Sequence, residues 1–176
     1  MKNSWLSFTI PSHLRDSLAI ICQNIALKTK FKPMAHEKIH MTAVFLGKTH
    51  VLPDVFDHIV SRSHDLTGAF RFDKLAFFPP GKSNLIVAIF KADNRDMTES
   101  LAKIKQELND EFGYSIPAEM EFIPHFTLGK LNLTKDELSK LTRSNFLNKV
   151  EDEIISRDDL FFAIDENYPL YLCGGS

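Results

Sequence analysis

Glycine and proline are scarce in this chain, seven and eight residues out of 176. With no low-complexity stretch either, collagen-like and disordered readings are excluded. Net charge is also small, because 21 Lys and Arg face 23 Asp and Glu, a formal −2. Proteins that grip long duplex nucleic acid present a basic excess, so any nucleic-acid contact is expected to be local, at a strand end or on one nucleotide. The two cysteines, Cys22 and Cys173, have no CxxC spacing. Free buried thiols in a reducing compartment are the expectation. No run approaches 18 uncharged apolar residues, and the opening MKNSWLSFTIPSHLRDSL lacks the apolar core and cleavage site of a secretory signal. A cytoplasmic location, no membrane partner and a monomeric chain follow as expectations. GxSxG, P-loop and GxGxxG signatures are missing too.

What is present is an ordinary globular composition, 44% hydrophobic and 25% charged, read as one domain over residues 1–176. Ser4 to Ile10 reads as a strand, and Pro11 opens a helix with Leu14, Leu18, Ile21 and Ile25 on one face. His40 to Leu46 reads as a second strand, and Pro53 starts a second helix carrying Val55, Phe56, Ile59 and Val60. FRFDKLAFF and NLIVAIFKA, joined by PPGKS, predict a hairpin. Met97, Leu101, Ile104, Leu108 and Phe112 predict a helix over 93–112, with Asp or Asn as its N-cap and Gly113 after its last turn. FIPHFTLGKLNL is a further strand. Thr134 and Glu137 have capping-box spacing, and SRDDLFFAID and YPLYLCG close the chain as strands. Seven or eight strands with three long helices and a short one predict an α+β fold rather than a repeating βαβ.

One pattern occurs twice. In KIHMTAVFLGK (38–48), His40 and Thr42 share a strand face by period-two alternation, while Met41, Ala43 and Phe45 share the other. In PHFTLGK (124–130), His125 and Thr127 are placed in the same way, opposite Phe126 and Leu128. A lone HxT is more often a core histidine satisfied by a neighbour; two of them in apolar strands, each leading into LGK, point to a site. Histidine titrates near neutral pH and serves as both base and acid. A facing pair can take a proton from water and give one to a leaving oxygen, while threonine hydroxyls donate to an oxyanion. In-line displacement at phosphorus needs those parts. Zinc needs at least three protein ligands, and no Cys, Asp or Glu stands at ligand spacing beside either motif. The chemistry expected is therefore acid–base, without metal or cofactor.

These paired motifs, with SWLSFTIPSHLRDSL before them and LYLC after, resemble the two-histidine (2H) phosphoesterases, and among them the LigT-like RNA 2′,3′-cyclic phosphodiesterases historically called 2′-5′ RNA ligases. The resemblance implies a bilobal, pseudo-twofold α+β fold of two similar lobes, with two antiparallel sheets forming a central cleft and helices packed outside. It implies His40 and His125 as acid and base, Thr42 and Thr127 as holders of the phosphate oxygens, and an RNA 3′ end or small nucleotide as substrate. The reaction implied is opening of a 2′,3′-cyclic phosphate to a 2′-phosphomonoester. Where such enzymes often carry arginines, this chain has Val44 and Lys130; Lys48, Lys82 and Lys130 are candidate substitutes. Phe8, Phe78 and Tyr168 are expected to be available for stacking on a base, and strand parity turns Phe45 away. The rival readings are a nucleotide-binding module with little catalysis and a 2′-5′ oligoadenylate phosphodiesterase.

Overall fold

The computed structural model describes residues 2–78, 84–117, 121–154 and 157–174. Eight strands, β1 (Asn3–Phe8), β2 (Phe31–Pro33), β3 (Thr42–Lys48), β4 (Ala69–Phe78), β5 (Leu85–Ala92), β6 (His125–Leu131), β7 (Phe161–Ala163) and β8 (Leu170–Gly174), form two antiparallel sheets. Their orders are β3-β1-β8 and β2-β6-β5-β4-β7, so the two HxT motifs lead into different sheets, β3 beginning at Thr42, two residues after His40, and β6 at His125 itself. The helices are α1 (Ser12–Lys28), α2 (Pro53–Ser63), α3 (Met97–Phe112), α4 (Lys135–Arg143) and α5 (Phe146–Asp152). The α+β architecture is the expected one. The PPGKS turn and Lys82 lie outside the described residues.

Local chemistry explains most of the elements. Leu14, Leu18, Ile21 and Ile25 are the buried stripe of α1, and Pro53 sits in the first turn of α2, where its missing N–H costs nothing. The capping box at α4 is formed in full: Glu137 N–H donates to Thr134 Oγ1 and Thr134 N–H to Glu137 Oε1, both at 3.2 Å. At α3 the N-cap is Asp96, an Asp as expected, but its side chain makes no capping hydrogen bond. Asp93 Oδ1 instead accepts from Ala69 N–H (2.7 Å), and Asn94 ties Thr67 O to Asp96 N–H. Asp93 fastens the start of β4 and Asn94 the segment just before it to the β5–α3 turn, and the helix starts only at Met97. Gly113 ends it in the left-handed conformation (φ 72°). The sequence reading missed β2 and α5, which are three and seven residues long, too short for periodicity to register.

Helix α1 packs on β2 and β6, while α3 packs on β3, so a helix lies over each sheet. The sheets are joined by a phenylalanine chain. Phe8 of β1 meets Phe70 of β4 edge-on at 5.0 Å, Phe70 stacks on Phe162 at 5.0 Å, and Phe90 meets Phe126 of β6 at 5.1 Å. Phe8 also lies 6.0 Å from Phe122. It is wholly buried, which corrects its assignment as a stacking surface: a ring with no exposed area cannot receive a base. Truncating a buried aromatic costs about 3–5 kcal/mol, so Phe8→Ala should lower unfolding free energy by that amount in urea titration, whereas Tyr168→Ala, at a site 73% exposed, should change it by less than about 0.5 kcal/mol.

Candidate functional site

The two HxT segments are held alike. His40 Nδ1 lies 2.8 Å from the carbonyl oxygen of Lys38, and His125 Nδ1 lies 2.8 Å from that of Ile123, in each case two residues upstream. A carbonyl only accepts, so Nδ1 of each ring must carry a proton. In the neutral ring this leaves Nε2 unprotonated, a base; in the charged ring Nε2–H is an acid. An aromatic ring fixes each imidazole from the side: Trp5 lies 5.2 Å from His40 at 32°, and Phe78 lies 5.1 Å from His125 at 27°. Sequence reasoning missed Trp5, and it read Phe78 as a base platform rather than a support for His125. Trp5 lies on β1, three residues before Phe8 and on a different strand from His40's segment, so nothing local in the sequence joins it to His40.

Each threonine is followed by a β-bulge. Ser7 pairs with Thr42 and Leu6 with Val44, leaving Ala43 as an extra residue; Val87 pairs with Thr127 and Ile86 with Gly129, leaving Leu128 extra. The bulge turns two successive residues to the core. Ala43 and Val44 are 5% and 1% exposed. The next residue then returns to the threonine's face: Phe45 in the first motif, 54% exposed, and Lys130 in the second, also exposed. This overturns the parity argument against Phe45, which shares the face of Thr42 because alternation breaks at the bulge. Val44, which stands where the resemblance implies an arginine, faces the core against Leu6.

Phe8 contacts the neighbourhood of each motif. Its N–H donates to Met41 O (3.0 Å), inside the first motif, while its ring meets Phe122, three residues before His125. Tyr168 stands beside Pro169, whose carbonyl accepts from Thr9 N–H (3.1 Å) just beyond Phe8, and its side chain is exposed. On the Thr42 face, Ser7 pairs with Tyr171 of β8. Arg15 donates from Nη2 to the Tyr171 hydroxyl at 3.4 Å, and burial, with Cys173 beside it, raises the Tyr171 pKa above the ordinary phenol value. Cys22 is buried, its thiol pushed up to about 12 by desolvation, and points at Leu128 O (3.4 Å); Cys173 is only half-buried, and both are free. Lys48 lies at the end of β3 remote from His40, paired with Asn3. Among the described residues, no three His, Cys, Asp or Glu side chains converge as a metal site would require, and no helix is long and apolar enough to cross a membrane.

A family model described as the 2′-5′ RNA ligase superfamily matches residues 14–154, most of the chain and both motifs. The chain belongs to the 2′-5′ RNA ligase superfamily. Solved structures with the same fold include TT0787 of Thermus thermophilus, at 21% identity and a TM-score of 0.57 over 75% of each chain. E. coli LigT complexed with NADP+ matches at 15% identity and a TM-score of 0.53, over 73% of this chain and 72% of that one. ATU0111 from Agrobacterium tumefaciens, described as a conserved protein of unknown function, matches at 14% identity and 0.54, over 96% and 82%. No curated protein matches the sequence. Membership of the 2′-5′ RNA ligase superfamily supports a phosphoesterase-type activity on phosphodiester bonds.

The second HxT segment also depends on a close approach at its bulge. A Cβ on Gly129 would run into the Lys32 carbonyl and the Phe31 ring, so only glycine lets β2 lie against β6. Gly129→Ala is expected to cost about 1–3 kcal/mol through forced displacement of β2. Urea unfolding measures it directly, and the loss should be accompanied by faster exchange of the Met34 amide, which donates to Leu128 O at 2.7 Å.

Proposed function

We propose that the protein is a metal-independent phosphodiesterase that opens 2′,3′-cyclic phosphates, on RNA 3′ ends or on small nucleotides, to 2′-phosphomonoesters. The observation that carries this reading is the shared tautomer: both motif histidines donate from Nδ1 to their own backbone, so each has Nε2 left for the substrate. In the proposed reaction, neutral His125 takes a proton from water at Nε2 as the water oxygen bonds to phosphorus. The bond from phosphorus to the 3′ oxygen breaks in line, and that oxygen takes the proton of charged His40. Afterwards His125 is protonated and His40 neutral, and exchange with solvent resets the pair. Thr42 and Thr127 donate to the non-bridging oxygens. Each hydrogen bond of this kind gains most where charge develops in the transition state.

The solved complexes of E. coli LigT with NADP+, ATP and 3′-AMP support a site of nucleotide size. Phe45 and Tyr168, both exposed, are the rings we assign to base stacking, in place of Phe8.

Incubation of wild type, His40→Ala and His125→Ala with an oligonucleotide ending in 2′,3′-cyclic phosphate, in EDTA, tests the assignment. Either substitution is expected to lower turnover by about 10²–10⁴-fold, with a 2′-phosphate as the product. Because one ring must be neutral and the other charged, the wild-type rate should pass through a maximum with pH, and each alanine variant should lose one limb. A 3′-phosphate product or EDTA-sensitive turnover would contradict the mechanism. Saturable nucleotide binding without turnover of cyclic or 2′-5′-linked substrates would favour the binding-module reading.

A further inference from the structure

Although the chain as a whole is slightly acidic, its five-stranded sheet is not. The strands carry Lys32, Arg71, Lys74, Lys91 and Lys130, and their one carboxylate, Asp73, is 3.5 Å from the Lys91 ammonium. Lys32 and Lys130 are direct partners across β2 and β6, an arrangement that costs stability because like charges stand opposite each other. No ion pair among the described residues offsets it. The register puts both lysines on the face of His125 and Thr127: Lys130 pairs with Leu85 and Thr127 with Val87, and Leu85, Val87 and Ile89 share one side of β5. The lysine row therefore lies two strand residues, roughly 7 Å, beyond the Thr127 row. The matching position after the first motif holds the exposed aromatic Phe45 instead of a cation. The two halves are alike in their HxT geometry and opposite in what flanks it.

We infer that Lys32 and Lys130 form a subsite for a second phosphate, the 5′-phosphate of the nucleoside whose cyclic phosphate occupies the HxT pair. This rests on the proposed reading of the two histidines. It gives the site a direction, with the 5′ side of the terminal nucleotide on the lysines and its base toward Phe45. A cyclic end that carries a 5′-phosphate, as every oligonucleotide end does, is then preferred over a free cyclic mononucleoside. One ribose and its phosphoester bonds bridge the distance from Thr127 to the lysine row, and an anion there relieves the repulsion between the two ammonium groups.

Calorimetric titration with adenosine 2′-phosphate and adenosine 2′,5′-bisphosphate tests the subsite without requiring turnover. The 5′-phosphate is expected to tighten binding to the wild type by about tenfold, an effect of the size charge-assisted contacts give. Lys32→Ala should abolish most of that gain, and Lys32→Arg should keep it. Lys32 is exposed on a short strand, and a melting temperature no lower than that of the wild type certifies that the variants are folded, with Lys32→Ala expected to rise slightly as the like-charge repulsion is relieved. Equal affinity of the wild type for both ligands, a gain that survives Lys32→Ala, or no binding of either ligand would overturn the subsite. A binding gain lost in Lys32→Ala, in a protein that turns over no cyclic phosphate, would leave the subsite standing and remove the proposed reaction. Turnover without any 5′-phosphate gain would do the reverse.

Discussion

The burial of one ring, Phe8, is the contact on which the site depends. It ends the central strand of the three-stranded sheet, gives its N–H to the first HxT segment, and packs its ring against Phe70 and Phe122 of the other half. Two sheets that share no hydrogen-bonded strands need such a junction, because each buries its apolar face only when the other half closes over it. The energy of burying large aromatics is the largest local contribution available to fix that relation. What Phe8 loses as a binding surface it gains as a joint between the first HxT segment and the other half.

Around that joint the chain repeats a small device. An HxT segment runs into a β-bulge, its histidine held by a backbone carbonyl two residues earlier and by an aromatic ring alongside. The repetition extends to the tautomer, which is the chemically decisive part: two imidazoles with the same free nitrogen can exchange the roles of acid and base between forward and reverse reactions. The departures from repetition are as informative. Phe45 and Lys130 occupy matching places and differ in kind, and Lys32 has a partner of its own sign. A pair of like half-sites thereby acquires an aromatic side and a cationic side.

Much of this was legible in the sequence. The stripe in α1, the capping box of Thr134 and Glu137, the left-handed Gly113 and the duplicated HxT all depend on neighbours within a few residues, where periodicity and side-chain chemistry decide. The failures were of two physical kinds. Bulges after Thr42 and Thr127 break the alternation on which facing was argued, so Phe45 was turned the wrong way; the consecutive core residues Ala43 and Val44 were the available sign. Contacts made across the fold, such as Trp5 on His40, Phe8 between the sheets and Lys32 beside Lys130, have no local signature, because strand order rather than spacing creates them. Asp96 holds the N-cap of α3 without a capping hydrogen bond, while Asp93 and Asn94 just before it are drawn to Ala69 and Thr67 across the fold.

The central claim is that the two HxT motifs form one site. Titrating the protein with adenosine 2′-phosphate while following the imidazole resonances of His40 and His125 by NMR tests it most directly. The account predicts that both rings shift along a single saturation curve, and that Thr127→Ala weakens the response of His40 as well as that of His125. A response confined to one histidine, or two curves with different midpoints, would mean that the halves bind separately and would contradict it.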